Sequence, residues 1–231
     1  MFKGQHNNCY YILKLTPQRE NLWWLFRATR HSLLACIFLF SFVSCSQKSN
    51  VNDFDFQTGD IILQALNSSQ CEAIREATDN YYSHCGIVLE DKDKLVVYEA
   101  VGPVKKSALK KFTMAGINGH FVVLRLLKKE PFNTLTAQSY CNKELGKKYD
   151  WFFNWGDSEI YCSELVWKAY KAGGIEICSP RPLKDYNLSS AQVQTILKQR
   201  YGEEIPKEEL MVAPSDLFSS PLLQIVYENK K

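Results

Sequence analysis

The 231-residue sequence lacks several things that would each have named a class of protein. It has no Cys-x-x-Cys and no His-x-x-x-His pair, so the spacings of a zinc module are missing. It has no apolar run of the ~18 to 20 residues that a spanning helix needs. It also has no excess of one charge. The formal net charge is +3, but the first 45 residues hold five Lys/Arg against one Glu, which leaves 23 basic and 24 acidic residues beyond them. Nothing in that balance calls for nucleic acid as a partner. With 45% hydrophobic and 13% aromatic residues, the chain can bury one good core and is too short for two large domains.

What is present begins at Cys162. Apolar or small residues follow at Leu165, Val166, Ala169 and Ala172, the spacing of a buried helix face, and Gly173-Gly174 supplies a stop. Cys162 is therefore expected in the first turn, where unpaired N–H groups and the positive end of the helix dipole favour a thiolate and can hold an oxyanion. A buried cysteine opening a core helix would show the same pattern. A second element shifts the balance. Residues 83–89 and 95–101 are apolar, β-branched runs around the charged segment 90–94, which predicts a hairpin. An even number of loop residues puts His84 and Glu99 on one face, where the carboxylate could fix the imidazole tautomer; an odd number puts them on opposite faces. Cys85, next to His84, is expected on the other face as a small core residue. A zinc site from His84, Cys85 and Cys162 would need a fourth ligand that the spacing does not offer, so neither metal nor cofactor is expected.

Other elements read more simply. A strand is predicted at Ile61 to Gln64, a helix at Ser69 to Thr78, a short basic turn or helix at Ser107 to Phe112 and a strand at Phe121 to Leu127. Helices are predicted at Asn133 to Leu145 and Ser190 to Tyr201, with a short capped segment at 213–218. Lys105-Lys106 and Lys110-Lys111 read as a solvated face. The aromatic segment 149–155 suits either core packing or an apolar cleft wall before the nucleophile.

The N-terminus reads as a leader. Arg27, Arg30 and His31 precede a short apolar run that ends in small residues, the pattern of an export signal over residues 1–44. Phe42-Val43-Ser44-Cys45 resembles a bacterial lipoprotein processing site, which implies lipid on Cys45, a polar tether over 45–53, and a domain over 54–231 on the extracytoplasmic side of the cell envelope. Five cysteines then fall in the domain, so in an oxidising compartment at least one thiol stays free.

Taken in order, Gly59-Asp60-Ile61-Ile62, Ser83-His84-Cys85-Gly86-Ile87-Val88, Val97-Tyr98-Glu99-Ala100, residues 146–151 and Tyr161-Cys162-Ser163-Glu164-Leu165 resemble the blocks of the YiiX/YaeF-like permuted papain-fold amidases, within the NlpC-type superfamily of cysteine peptidases and amidases. The resemblance spans roughly residues 54 to 225. It implies an α+β fold with a small antiparallel sheet or half-barrel against helices, and the chain order histidine, orienter, cysteine, the reverse of papain. It also implies that Cys162 is the nucleophile, His84 the base and Glu99 the orienter, with Tyr149 and Tyr161 beside the substrate. The implied substrate is an envelope peptide or an N-acyl amino compound. Two alternatives carry over: lipid acyl hydrolysis or transfer, since related permuted folds resemble lecithin:retinol acyltransferase and a long apolar groove beside Cys162 would favour it, and a catalytically silent envelope-binding module.

Overall fold

The structure, a computed structural model, describes residues 54–127 and 131–229. The leader, the tether and Cys45 lie outside the described residues. In chain order the elements are β1 (Ile61–Gln64), α1 (Ser69–Thr78), β2 (His84–Asp91), β3 (Lys94–Ala100), β4 (Val104–Ala108), α2 (Leu109–Thr113), β5 (Phe121–Leu126), α3 (Thr134–Glu144), α4 (Cys162–Ala172), β6 (Arg181–Pro182), α5 (Ala191–Tyr201), β7 (Leu210–Met211), α6 (Pro214–Phe218) and β8 (Leu223–Glu228). Six strands make one open antiparallel sheet in the order β4-β3-β2-β1-β5-β8. The fold is α+β, and the sheet does not close into a barrel.

Alternation along the strands sends apolar side chains to both faces of this sheet. Leu63, Cys85, Ile87, Leu89 and Tyr98 pack with Leu165, Val166 and Ala169 of α4 and with Ala137 and Cys141 of α3. Ile62, Val88, Val97 and Val123 face the other way, onto Phe112 and Phe121. Both faces being covered explains why β1 and most of β2 are buried without a break. A third cluster lies between α1 and α5, from Ala73, Val193 and Leu197 to Leu183, Tyr186 and Met211. The start of the sheet is tied by Arg125, whose Nε and Nη2 meet the two oxygens of buried Asp60 at 2.7 and 2.8 Å. The Gly59-Asp60 block thus joins β1 to β5 and serves the fold.

The hairpin turns on two residues. Lys92 and Asp93 both adopt positive φ, 49° and 63°, the backbone of a type I′ turn, and the ladder closes at Asp91↔Lys94. Two sequence expectations need correction, and one strand was not foreseen. Ser107 opens no helix: it lies in β4, and the basic helix starts at Leu109, because Val97↔Ser107 and Glu99↔Lys105 pairing extends the strand. Lys105 and Lys106 are not purely solvated, since they reach Glu99 (3.7 Å) and Asp91 (3.0 Å). The tail contributes a sixth sheet strand, β8, which pairs with β5 through a register shift at Val123/Leu124.

Candidate active site

Cys162 is the first residue of α4. Tyr161 precedes it with extended backbone (φ −103°, ψ 172°), and the Glu164 carboxylate accepts the Tyr161 N–H at 3.4 Å, which holds the helix start in place. The Tyr161 hydroxyl accepts the Val212 N–H at 3.1 Å, while Ser163 Oγ donates to the Val212 carbonyl at 2.7 Å. The loop before α6 therefore clamps the residues on both sides of the thiol. The first-turn N–H groups of α4 have no preceding carbonyl partner and are available to an incoming oxyanion.

The even turn places His84 and Glu99 on the same face, diagonal across the hairpin. The two strands part at this end. Pairing of β2 with β3 starts at Ile87↔Tyr98, whereas His84 and Cys85 keep partners on β1 and Glu99 and Ala100 keep partners on β4. His84 Nε2 bridges the opening to Glu99 Oε2 at 2.8 Å. Ser107 Oγ donates to the other Glu99 oxygen at 2.5 Å, and Lys105 adds its charge at 3.7 Å. Gly86 makes this approach possible: a Cβ there would lie 2.4 Å from Val97 Cγ1 and 3.0 Å from the Tyr98 carbonyl.

Electrostatically the cluster behaves as a buried ion pair. Burial opposes charging of His84, but its hydrogen bonds to Cys162 and Glu99 outweigh that and raise the imidazole to about 9. Burial likewise opposes the Glu99 charge, and the His84 and Ser107 hydrogen bonds carry it below the usual carboxylate range. The Cys162 thiol is held well below its ordinary value, by a hydrogen bond from the Cys85 thiol first and then, against the cost of burial, by His84 and the Cys85 backbone N–H. Thiolate and imidazolium are the favoured forms.

Cys85 is thus more than the small core residue that alternation suggested. It does point away from the His84 face, but α4 packs on that side, so its thiol meets Cys162. All five described cysteines are free thiols.

One wall of an apolar cavity is Cys162 itself. Ala73, Ile74 and Ala77 of α1, Val193, Ile196 and Leu197 of α5, and Leu183, Leu188 and Met211 line the rest. Tyr149 and Tyr161 both face it. The aromatic segment divides: Phe153 lines the cavity, Trp151 and Phe152 are exposed, and Trp155 packs edge-on against Trp167 at 5.0 Å. The Tyr149 hydroxyl accepts from Gln70 Nε2 at 3.0 Å, and burial pushes its phenol well up, so it is a neutral donor with its own proton to give. Gln70, Ser107 and the Val212 backbone have no local signal in the sequence; only packing of distant segments brings them to the site.

A thiolate at a helix N-terminus, a buried imidazole and a carboxylate on an antiparallel sheet define the papain-like class of cysteine hydrolases. Within it, residues 55–227 match the model of the permuted papain-like amidase enzymes of the YaeF/YiiX, C92 family, and the chain belongs to that family. The uncharacterized protein YiiX of Escherichia coli (strain K12) is 44% identical over 176 residues, 74% of this chain and 85% of the relative. A crystal structure of YiiX from Escherichia coli O157:H7, described as a metalloprotein, is 41% identical, with a TM-score of 0.72 over 77% of this chain and 100% of that one. In the present chain, no three His, Cys, Asp or Glu side chains among the described residues are grouped to hold a metal ion. The donors beside Cys162 are instead engaged with one another.

Proposed function

We propose that the protein is an exported, lipid-anchored cysteine amidase that cleaves N-acyl compounds, with the apolar acyl group seated between α1 and α5. The observation that carries this reading is the position of Cys162 in the wall of a cavity whose remaining surface is mostly aliphatic and aromatic. Such a cavity suits an acyl chain better than a hydrated peptide. The Cys162 thiolate attacks the amide carbonyl, and the developing oxyanion receives the Cys162 N–H and the Tyr149 O–H. His84, already protonated, gives its proton to the amine nitrogen as the C–N bond breaks, leaving a Cys162 thioester and a free amine. A water then loses a proton to His84 and attacks the thioester, which releases the carboxylic acid and restores the thiolate. Glu99, held by Ser107, keeps the imidazole oriented through both steps.

The same cavity supports a second reading in which the acyl donor is a lipid ester and the acceptor is water or an amine. Turnover of paired long-chain amides and esters by the soluble domain separates the two, and mass spectrometry of a trapped Cys162 acyl adduct tests both. Preference for short polar peptides would overturn the acyl-chain reading and leave a peptidase, and no reaction of Cys162 with a thiol-directed probe at neutral pH would leave a binding module. Envelope localisation rests on Cys45. A mature chain that begins at an acylated Cys45 is the expected result by mass spectrometry, and an unmodified start beyond Asn50 refutes it.

A further inference from the structure

Arg200 is a partly buried cation with no paired carboxylate among the described residues. It lies near the C-terminus of α5 and lines the same cavity as Cys162. Its Nη2 donates to Gln70 Oε1 at 2.6 Å, and the guanidinium carbon sits 4.5 Å from the centre of the Phe153 ring. No carboxylate pairs with it among the described residues. Arg125 and Arg181, by contrast, meet Asp60 at 2.7 Å and Asp216 at 3.0 Å. Asp150, an acidic neighbour whose field reaches Arg200, is engaged elsewhere, with the Phe152 N–H at 2.8 Å and those of Phe153 and Asn154. Burial accordingly draws the guanidinium below its ordinary value. A guanidinium drawn partly out of water into an apolar cavity gains from an anion there, because the lost solvent contacts are costly unless an anion replaces them.

Its place in the cavity says where that partner would sit. Arg200, Gln70 and Tyr149 form one chain of contacts, Arg200 to Gln70 and Gln70 to Tyr149, and the Cys162 charge is felt at Tyr149. The polar end of the cavity is therefore the end that holds the thiol, and the aliphatic residues of α1 and α5 lead away from it. Building on the proposed acyl-amide cleavage, we infer that Arg200 is a specificity-determining residue that binds a carboxylate next to the scissile amide, so that the substrate class is N-acyl amino acids. The acyl chain fills the aliphatic end, the amide carbonyl lies at Cys162, and the carboxylate of the amino-acid half completes a fork on Arg200 whose other contact is Gln70.

The test uses binding and turnover in parallel, with N-dodecanoylglycine, its carboxamide and dodecyl phosphate as probes. In the non-reacting Cys162→Ser protein, calorimetry should show the acid bound about tenfold more tightly than the carboxamide, the worth of a charge-assisted hydrogen bond that the neutral probe lacks. Adding Arg200→Gln should collapse that ratio toward one, and Arg200→Lys should keep part of it. In the active enzyme the acid-to-carboxamide ratio of kcat/KM should fall in the same order. Ratios are insensitive to any loss of folded protein. Equal binding of acid and carboxamide, or a ratio that survives Arg200→Gln, overturns the inference; tighter binding of dodecyl phosphate than of the acid overturns the carboxylate class. If no probe is turned over while the binding ratio behaves as stated, the cleavage reading fails and the Arg200 site stands.

Discussion

The domain holds two histidines, and each is paired with a glutamate, yet the two pairs are built differently. His84 and Glu99 are buried, 2.8 Å apart, and the carboxylate has a second donor in Ser107. His120 and Glu228 sit 3.2 Å apart, with side chains 20% and 29% exposed, between β5 and the edge strand β8. Tyr81 and Tyr82 pack around His120, at ring distances of 5.0 and 6.1 Å, where the first pair has a thiol. A histidine and a carboxylate in contact are thus not enough to make a reactive centre. Exclusion of water keeps the His84 charges from being screened, and the nearby thiol gives the imidazolium something to stabilise.

The widest gap should open at Cys162. Cys162→Ala is expected to lower turnover by about 10³-fold or more while leaving the folded fraction by circular dichroism unchanged, since the first pair without its thiol becomes as inert as the second. The two histidines come next. His84→Ala should lower kcat/KM by ~10² to 10⁴-fold and slow labelling of Cys162 at pH 7, whereas His120→Ala should change both by less than ~3-fold. Equal losses would erase the distinction between the pairs.

Glu99 should show a smaller, graded effect. Removing an acceptor from a charged donor costs ~1.5 to 3 kcal/mol, so Glu99→Ala is expected to lose roughly 10 to 100-fold, with Glu99→Gln milder because an amide oxygen can still accept from His84. A larger loss for Gln than for Ala would reverse that assignment.

The pH profile sharpens the comparison further. The active form has the thiolate unprotonated and the imidazole protonated, so activity should hold through neutral pH and fall as pH rises through about 9, where His84 gives up its proton. An alkaline limb centred near the ordinary imidazole value of ~6.5 would mean that the first pair is no better protected than a surface histidine. The smallest effect is expected at Cys85. Loss of its hydrogen bond in Cys85→Ala should move the acid limb of Cys162 labelling to higher pH, and an unmoved limb would mean that the Cys85 thiol does not support the thiolate.

How far the sequence reached follows the range of the interactions. Helix α4, with its glycine stop, and α1 were legible because spacing and caps are local, and the face shared by His84 and Glu99 followed from parity once the turn proved even. The parting of β2 from β3 was not legible. It depends on β1 and β4 each holding one strand, and it is what lets Cys162 touch both His84 and Cys85. Strand β8 escaped because an edge strand with a half-exposed Ile225 lacks clean alternation. Gln70 and Arg200 carry no motif at all; only the packing of α1 against α5 gives them neighbours.

The clamp around Cys162 also sets an order of events. His84 and Glu99 are 15 residues apart and need only the neighbouring strands β1 to β4 to meet, but Tyr161 and Ser163 are anchored by Val212, 51 and 49 residues further along. Local contacts form early and distant ones late. A chain still being made therefore carries an ordinary, weakly reactive thiol at position 162, and that thiol is armed only when the last part of the domain closes over it.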